Sequence, residues 1–112
     1  MLFRSVVHAG APVATLRPVG HVIAAATRIL RADQPVQLSR FALLRAEGGE
    51  ARLETPLAAL DVTLHDPRLG AAVAALARPL APAEVEVPGI PAEVVHAVLQ
   101  LLLDAEIGRA HV

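Results

Sequence analysis

The sequence predicts an α+β fold: a three-stranded antiparallel sheet followed by three helices, with one extra helix ahead of the sheet. Three observations carry that prediction. Near Leu38 the hydrophobic period changes from helical to alternating, and alternation marks a half-buried strand. A Gly48-Gly49 pair sits between two alternating stretches, where a hairpin turn is needed. From Asp66 onward the apolar spacing returns to that of helices, punctuated by Pro67, Pro79, Pro82 and Pro91.

Residues 1–20 carry Gly10, Pro12, Pro18 and Gly20 and read as an irregular lead-in with a short strand at 13–16. Over 21–32, Val22, Ile23, Ala26, Ile29 and Leu30 recur at helical spacing, and Gln34-Pro35 ends that helix. A first strand is expected at 41–45, then the turn Glu47-Gly48-Gly49-Glu50, then a second strand at 51–55 with Leu53 on one face and Arg52 and Glu54 on the other. Leu60, Val62 and Leu64 alternate with Asp61, Thr63 and His65 in a third strand, completing a meander. Asp66 is a good N-cap and Pro67 suits the first position of a helix whose stripe is Leu69, Val73, Leu76 and Ala77. Residues 83–87 allow one helical turn at best before Pro88-Gly89. The last helix runs from about Pro91 through Ala105. Its Val94, Val95, Val98, Leu99, Leu101, Leu102 and Leu103 cover more than one face, so the extra apolar surface must meet something beyond a single core stripe. Sheet first and helices after, the order is winged-helix-like. It divides the chain into a lead-in (1–37), a winged-helix-like domain (38–105) and a tail (106–112).

Composition narrows the function. A chain of 112 residues makes one domain at most. Hydrophobic residues are 54% but aromatics only 2%, so Ala, Val and Leu must fill the core. The net charge of −1 gives no global field for nucleic acid or anionic lipid. Absent cysteine removes disulfides, thiolate chemistry and Cys-ligated zinc, and fits a cytoplasmic protein. No stretch is long and apolar enough for a membrane span.

Nothing in the chain has the pattern of a catalytic or metal site. The histidines lack the i, i+4 spacing of a helical metal site. Ser5 and Ser39, the serines present, lie in no nucleophile motif. Gly48-Gly49 is a turn and not a phosphate loop. Arg40 and Arg45 on the first strand suit an acidic peptide, although an exposed charged face is their ordinary role. Between Pro79 and Gly108 there is no Arg or Lys, while Glu84, Glu86, Glu93, Asp104 and Glu106 are acidic. Such a helix is repelled by phosphates, which argues against winged-helix DNA binding.

The ordered set Leu38-Ser39-Arg40-Phe41-Ala42-Leu43-Leu44-Arg45, Gly48-Gly49, Leu53-Glu54-Thr55-Pro56-Leu57, Leu64-His65-Asp66-Pro67-Arg68, Pro88-Gly89-Ile90-Pro91 and Leu101-Leu102-Leu103-Asp104-Ala105 resembles a domain upstream of the flavin part of SagB-type azoline dehydrogenases. That upstream domain is similar to the RiPP recognition element, a winged-helix relative of the small chaperone of pyrroloquinoline quinone biosynthesis. The resemblance implies a non-catalytic domain that binds the leader of a precursor peptide by strand addition. The parent would be an FMN-dependent enzyme oxidising thiazolines and oxazolines, while this chain holds no cofactor. Implied partners are the leader peptide, the flavin dehydrogenase domain or a cyclodehydratase, with a homodimer as a further option. The implied acceptor strand contains Leu60, Val62, Thr63, Leu64 and His65, and Val95, Leu99 and Leu103 of the last helix would wall the cleft. A proline at Thr63 is then expected to abolish peptide binding. The alternative is a scaffolding or dimerisation domain whose last helix packs on itself or on an enzyme domain.

The two ends read differently from the middle. Residues 106–112 are what GAG ATC GGA AGA GCA CAC GTC encodes, and residues 1–5 are what GTG CTC TTC CGA TCT encodes. Both strings resemble a common short-read sequencing adapter, on opposite strands. The chain is therefore read as a piece of a longer gene, and both ends are expected to stay outside the packing.

Overall fold

The lead-in is more ordered than expected: its short strand at 13–16 is part of a longer strand in a hairpin. In the computed structural model, which describes residues 4–18, 30–31, 33–56 and 60–110, strands β1 (Arg4–His8) and β2 (Ala11–Pro18) form an antiparallel hairpin. Ala9 and Gly10 turn it, with φ of 53° and 80°, the paired left-handed conformation that matches the twist of the flanking strands. Gly10 and Pro12 therefore punctuate a hairpin, not a loop. Most of the helix expected over 21–32 lies outside the described residues.

A short strand, β3 (Val36–Leu38), precedes a turn held by Ser39, whose Oγ accepts the Phe41 N–H at 3.2 Å. That turn takes Phe41 out of the expected strand, so β4 begins two residues later (Leu43–Glu47). Gly48 and Gly49, at φ of 59° and 82°, close the expected hairpin to β5 (Glu50–Glu54). β6 (Leu60–Leu64) follows as expected. Asp66 Oδ1 accepts the Arg68 N–H at 2.9 Å and the Asp66 carbonyl accepts the Leu69 N–H at 3.1 Å. The capping chemistry expected of Asp66 is therefore present, but it caps a leading tight turn, and α1 proper starts at Leu69 (Leu69–Ala75). A single 3-10 turn, Pro82–Glu84, stands where the middle helix was expected. α2 (Ala92–Asp104) and β7 (Gly108–Ala110) complete the chain's described elements.

The fold is α+β, as expected, but its sheet has five strands and not three. The order is β1-β2-β6-β5-β4, antiparallel throughout, and β3 pairs separately with β7. Two helices and a 3-10 turn replace the three helices. The extra strands come from the N-terminal hairpin, which adds two strands to the meander on the β6 side.

Register separates the two faces. Leu44, Leu53, Val62 and Leu16 lie in one cross-strand row, with Ala51, Leu64 and Ala14 in the next. Side chains alternate along each strand, so these residues share the face that the helices cover. Arg45, Arg52, Thr63 and Thr15 occupy the opposite, polar face.

α2 lies in the core. Val95, Leu99 and Leu103 are 2%, 0% and 2% exposed, and Val94, Val98, Leu101 and Leu102 are buried too. The apolar excess of this helix is thus absorbed inside the domain, between the main sheet and the β3–β7 pair. Ile107 and Gly108 of the tail join that packing. Ile107 has no exposure, and Gly108 sits against Val36 and Leu102. At the other end, Arg4 pairs with the buried Asp104, which also accepts from Gln100 Nε2 at 2.9 Å.

Candidate functional site

The outer edge of β4 has no strand partner among the described residues, and the sheet's other edge is β1. β4 is unusual for an edge. Leu43 and Leu44 are 54% and 65% exposed, and Phe41 just before them is exposed too. Natural edges are ordinarily blunted by charge, proline or cover, whereas this one presents an exposed leucine on each of its faces.

Beside this edge, on the apolar face, lies a cleft of about 450 Å³ between the sheet and α1. Leu44, Ala46, Ala51 and Leu64 form its floor, and Pro67 and Val73 its wall. Gly70 and Ala74 of α1 give the wall its depth by having almost no side chain. The edge also presents backbone groups. In a two-residue hairpin the residues flanking the turn, Glu47 and Glu50, face each other as a hydrogen-bonded pair, and bonded and non-bonded pairs then alternate. Leu44 and Ala46 fall at non-bonded positions, so their N–H and C=O groups point away from β5, toward the open side.

The polar face carries a second cleft of about 350 Å³, lined by Thr15, Arg17, Glu50, Arg52, Thr63 and His65 among others. Glu50 bonds His65 Nδ1. A carboxylate accepts only, so Nδ1 donates to it, and Nε2 lies 2.8 Å from the Thr15 hydroxyl. Ser5 completes the row at 2.9 Å from Thr15. The order carboxylate, imidazole, hydroxyl is that of a nucleophile relay. Thr15, however, is buried and its strand is paired on both sides, to Ser5 and to Thr63. The row therefore ties four segments of the sheet together.

The expected site residues lie largely inside the domain's own pairing and core. Leu60, Val62, Thr63 and Leu64 lie on β6, which is paired to β2 along one side, and its Val62, Thr63 and Leu64 are paired to β5 along the other. His65 follows β6 on the polar face. Val95, Leu99 and Leu103 are buried in the core and line neither of these two clefts. The Thr63→Pro test loses its meaning, because proline there would break the domain's own pairing. The α1 wall was not foreseen. The available signal was Phe41, Leu43 and Leu44 together, a stretch with no alternation and hence apolar on both faces.

An FMN does not fit either cleft. The charged groups of the apolar cleft are Glu50 and Asp66, carboxylates that repel a phosphate. In the polar cleft Arg17 and Arg52 are turned to the buried Asp61, at 3.3 and 3.4 Å. Among the described residues no His, Asp or Glu cluster could hold a metal ion, and no helix is long and apolar enough to cross a membrane.

Fold and site together define a small α+β domain with an open, apolar sheet edge beside a helix-walled cleft. Residues 36–110 match the family described as cyanobactin oxidase ThcOx, and the chain belongs to that family. Membership ties it to cyanobactin biosynthesis, a natural-product route built on ribosomally made peptides. No curated protein matches the chain.

Proposed function

We propose that this chain is a non-catalytic peptide-binding part of a cyanobactin-type oxidase. It holds a leader segment of the precursor peptide as an added strand on the outer edge of β4. One observation carries the reading: the exposed Leu44 and the outward backbone of Leu44 and Ala46 stand beside the apolar cleft against α1. Backbone hydrogen bonds to the edge would supply register, and alternate side chains in the cleft would supply selectivity. The oxidative step, with its flavin, belongs to another part of the parent enzyme or to a partner such as the flavin dehydrogenase domain; a cyclodehydratase is a second candidate partner. DNA binding has no support, since α2 turns its apolar residues into the core and presents Glu93 outward.

The test is titration of the chain with synthetic leader segments of cyanobactin precursors, followed by amide hydrogen exchange. Saturable binding with slowed exchange at Leu44 and Ala46 is expected. Ala46→Pro removes an outward N–H without touching the β4–β5 ladder and should abolish binding while leaving the circular dichroism unchanged. No saturable binding, or protection elsewhere, sinks the proposal. A mass that rises with concentration and ignores peptide would favour scaffolding or homodimerisation through the same edge.

A further inference from the structure

A row of charges crosses the polar face and ends at the open edge. Arg17 Nε lies 3.3 Å from Asp61 Oδ1, and Asp61 Oδ2 lies 3.4 Å from Arg52 Nε. Arg52 Nε is 3.8 Å from Glu54 Oε2, and Glu54 Oε1 accepts from Arg45 Nη2 at 2.7 Å. The signs alternate from β2 through β6 and β5 to β4, beginning and ending on arginine. Arg45, its last member, stands on the edge strand with 59% of its side chain exposed.

An added antiparallel strand would bond to the outward groups of Leu44 and Ala46. The residue opposite Arg45 then falls in a non-bonded pair, where the Cα atoms approach to about 4.5 Å and side chains come closest. Opposite charges there stabilise the pairing, and like charges weaken it. The two neighbours of that residue point to the other face, over Leu44 and Ala46 and into the apolar cleft.

We propose that the strand accepted by β4 carries one carboxylate opposite Arg45, flanked by apolar residues: an apolar–acidic–apolar motif. This rests on the strand-addition reading above, and it names the class of peptide that site selects. The carboxylate continues the alternation past Arg45. The guanidinium offers a fork of donors, of which Glu54 engages one end, and so can take a second carboxylate.

The test uses the full chain and three fluorescein-labelled synthetic peptides, Ser-Val-Thr-Leu-Glu-Leu-Thr-Val-Ser and its versions with Gln or Lys in place of the central Glu. Anisotropy titration should rank them Glu, Gln, Lys. Each step is worth about two- to fivefold in Kd, the range of an exposed ion pair. Arg45→Glu should invert the order. Slowed amide exchange at Leu44 and Ala46 would place the bound peptide on the edge. Equal affinity for all three peptides, or an order that Arg45→Glu leaves unchanged, overturns the motif and leaves strand addition standing. If none of the three is bound and Leu44 and Ala46 stay unprotected, both fall.

Discussion

The backbone N–H of Ser39 donates to the carbonyl of Ile107 at 2.7 Å. This bond stitches the tail to the segment ahead of β4, and Ile107 is wholly buried beneath it. Removing a buried isoleucine leaves a cavity and costs about 2–5 kcal/mol. Ile107→Ala should lower the urea midpoint accordingly, and truncation after Ala105, which also removes β7, should cost more. A midpoint unchanged by the truncation would show the tail to be unpacked, as the resemblance of residues 106–112 to an adapter had implied.

Much of the fold was legible wherever a local rule and the tertiary structure agreed. Gly48-Gly49 needed positive φ, and Leu60, Val62 and Leu64 alternated, so that hairpin and β6 stand where the sequence puts them. The N-terminal hairpin was legible only in part: 13–16 read as a strand and lies within β2, but β1 and the turn did not show. Its turn uses an Ala beside Gly10, and its strands are broken up by Pro12 and Pro18, which normally speak for loops. That omission carried through to the site. Without β2, the edge of β6 looks free and α2 looks over-apolar. With β2 in place, β6 is central, and Val95, Leu99 and Leu103 become core.

Core and site should separate cleanly by substitution. Leu99 has no exposure while Leu44 has 65%. Leu99→Ala should cost about 2–5 kcal/mol and leave peptide affinity of the folded protein intact. Leu44→Ala should change stability by no more than about 0.5 kcal/mol, the usual range for surface substitutions, and weaken peptide binding. Urea denaturation paired with anisotropy titration reads both. A Leu44 variant that binds normally would move the site away from β4.

The two hairpin turns share a backbone but not a residue choice, and they should answer oppositely to substitution. No atom lies within 4 Å of a Cβ built on Gly48 or Gly49, so alanine there meets only the left-handed penalty of roughly 1–2 kcal/mol. Ala9, at φ 53°, already bears that penalty. Ala9→Gly should therefore stabilise by up to about 1 kcal/mol, after the added entropy of glycine is set against the relief. Thermal melts of the three variants check the signs. Destabilisation by Ala9→Gly would show that β1 and β2 do not turn through this conformation.

Asp66 supplies the pH dependence that can be assigned to one residue. Its carboxylate accepts from the Arg68 side chain, through Nε at 3.0 Å and Nη2 at 2.6 Å, and from the Arg68 backbone N–H at 2.9 Å. These bonds, the side-chain ones foremost, hold its pKa down from 3.8 to about 2. A carboxyl depressed by folding stabilises the native state fully above its unfolded value. The contribution should therefore be whole above pH 3.8 and disappear as the pH falls through about 2. Carbon-13 NMR of the Asp66 carboxyl should show the low midpoint. Arg68→Gln should return it toward 3.8 and flatten the loss of stability over that window. Because Arg68 Nη1 also donates to the Gly89 carbonyl at 3.2 Å, the same variant should loosen the loop ahead of α2, seen as faster amide exchange at Ile90. A midpoint already near 3.8 in the unaltered chain would mean that the Asp66–Arg68 contact does not persist in solution.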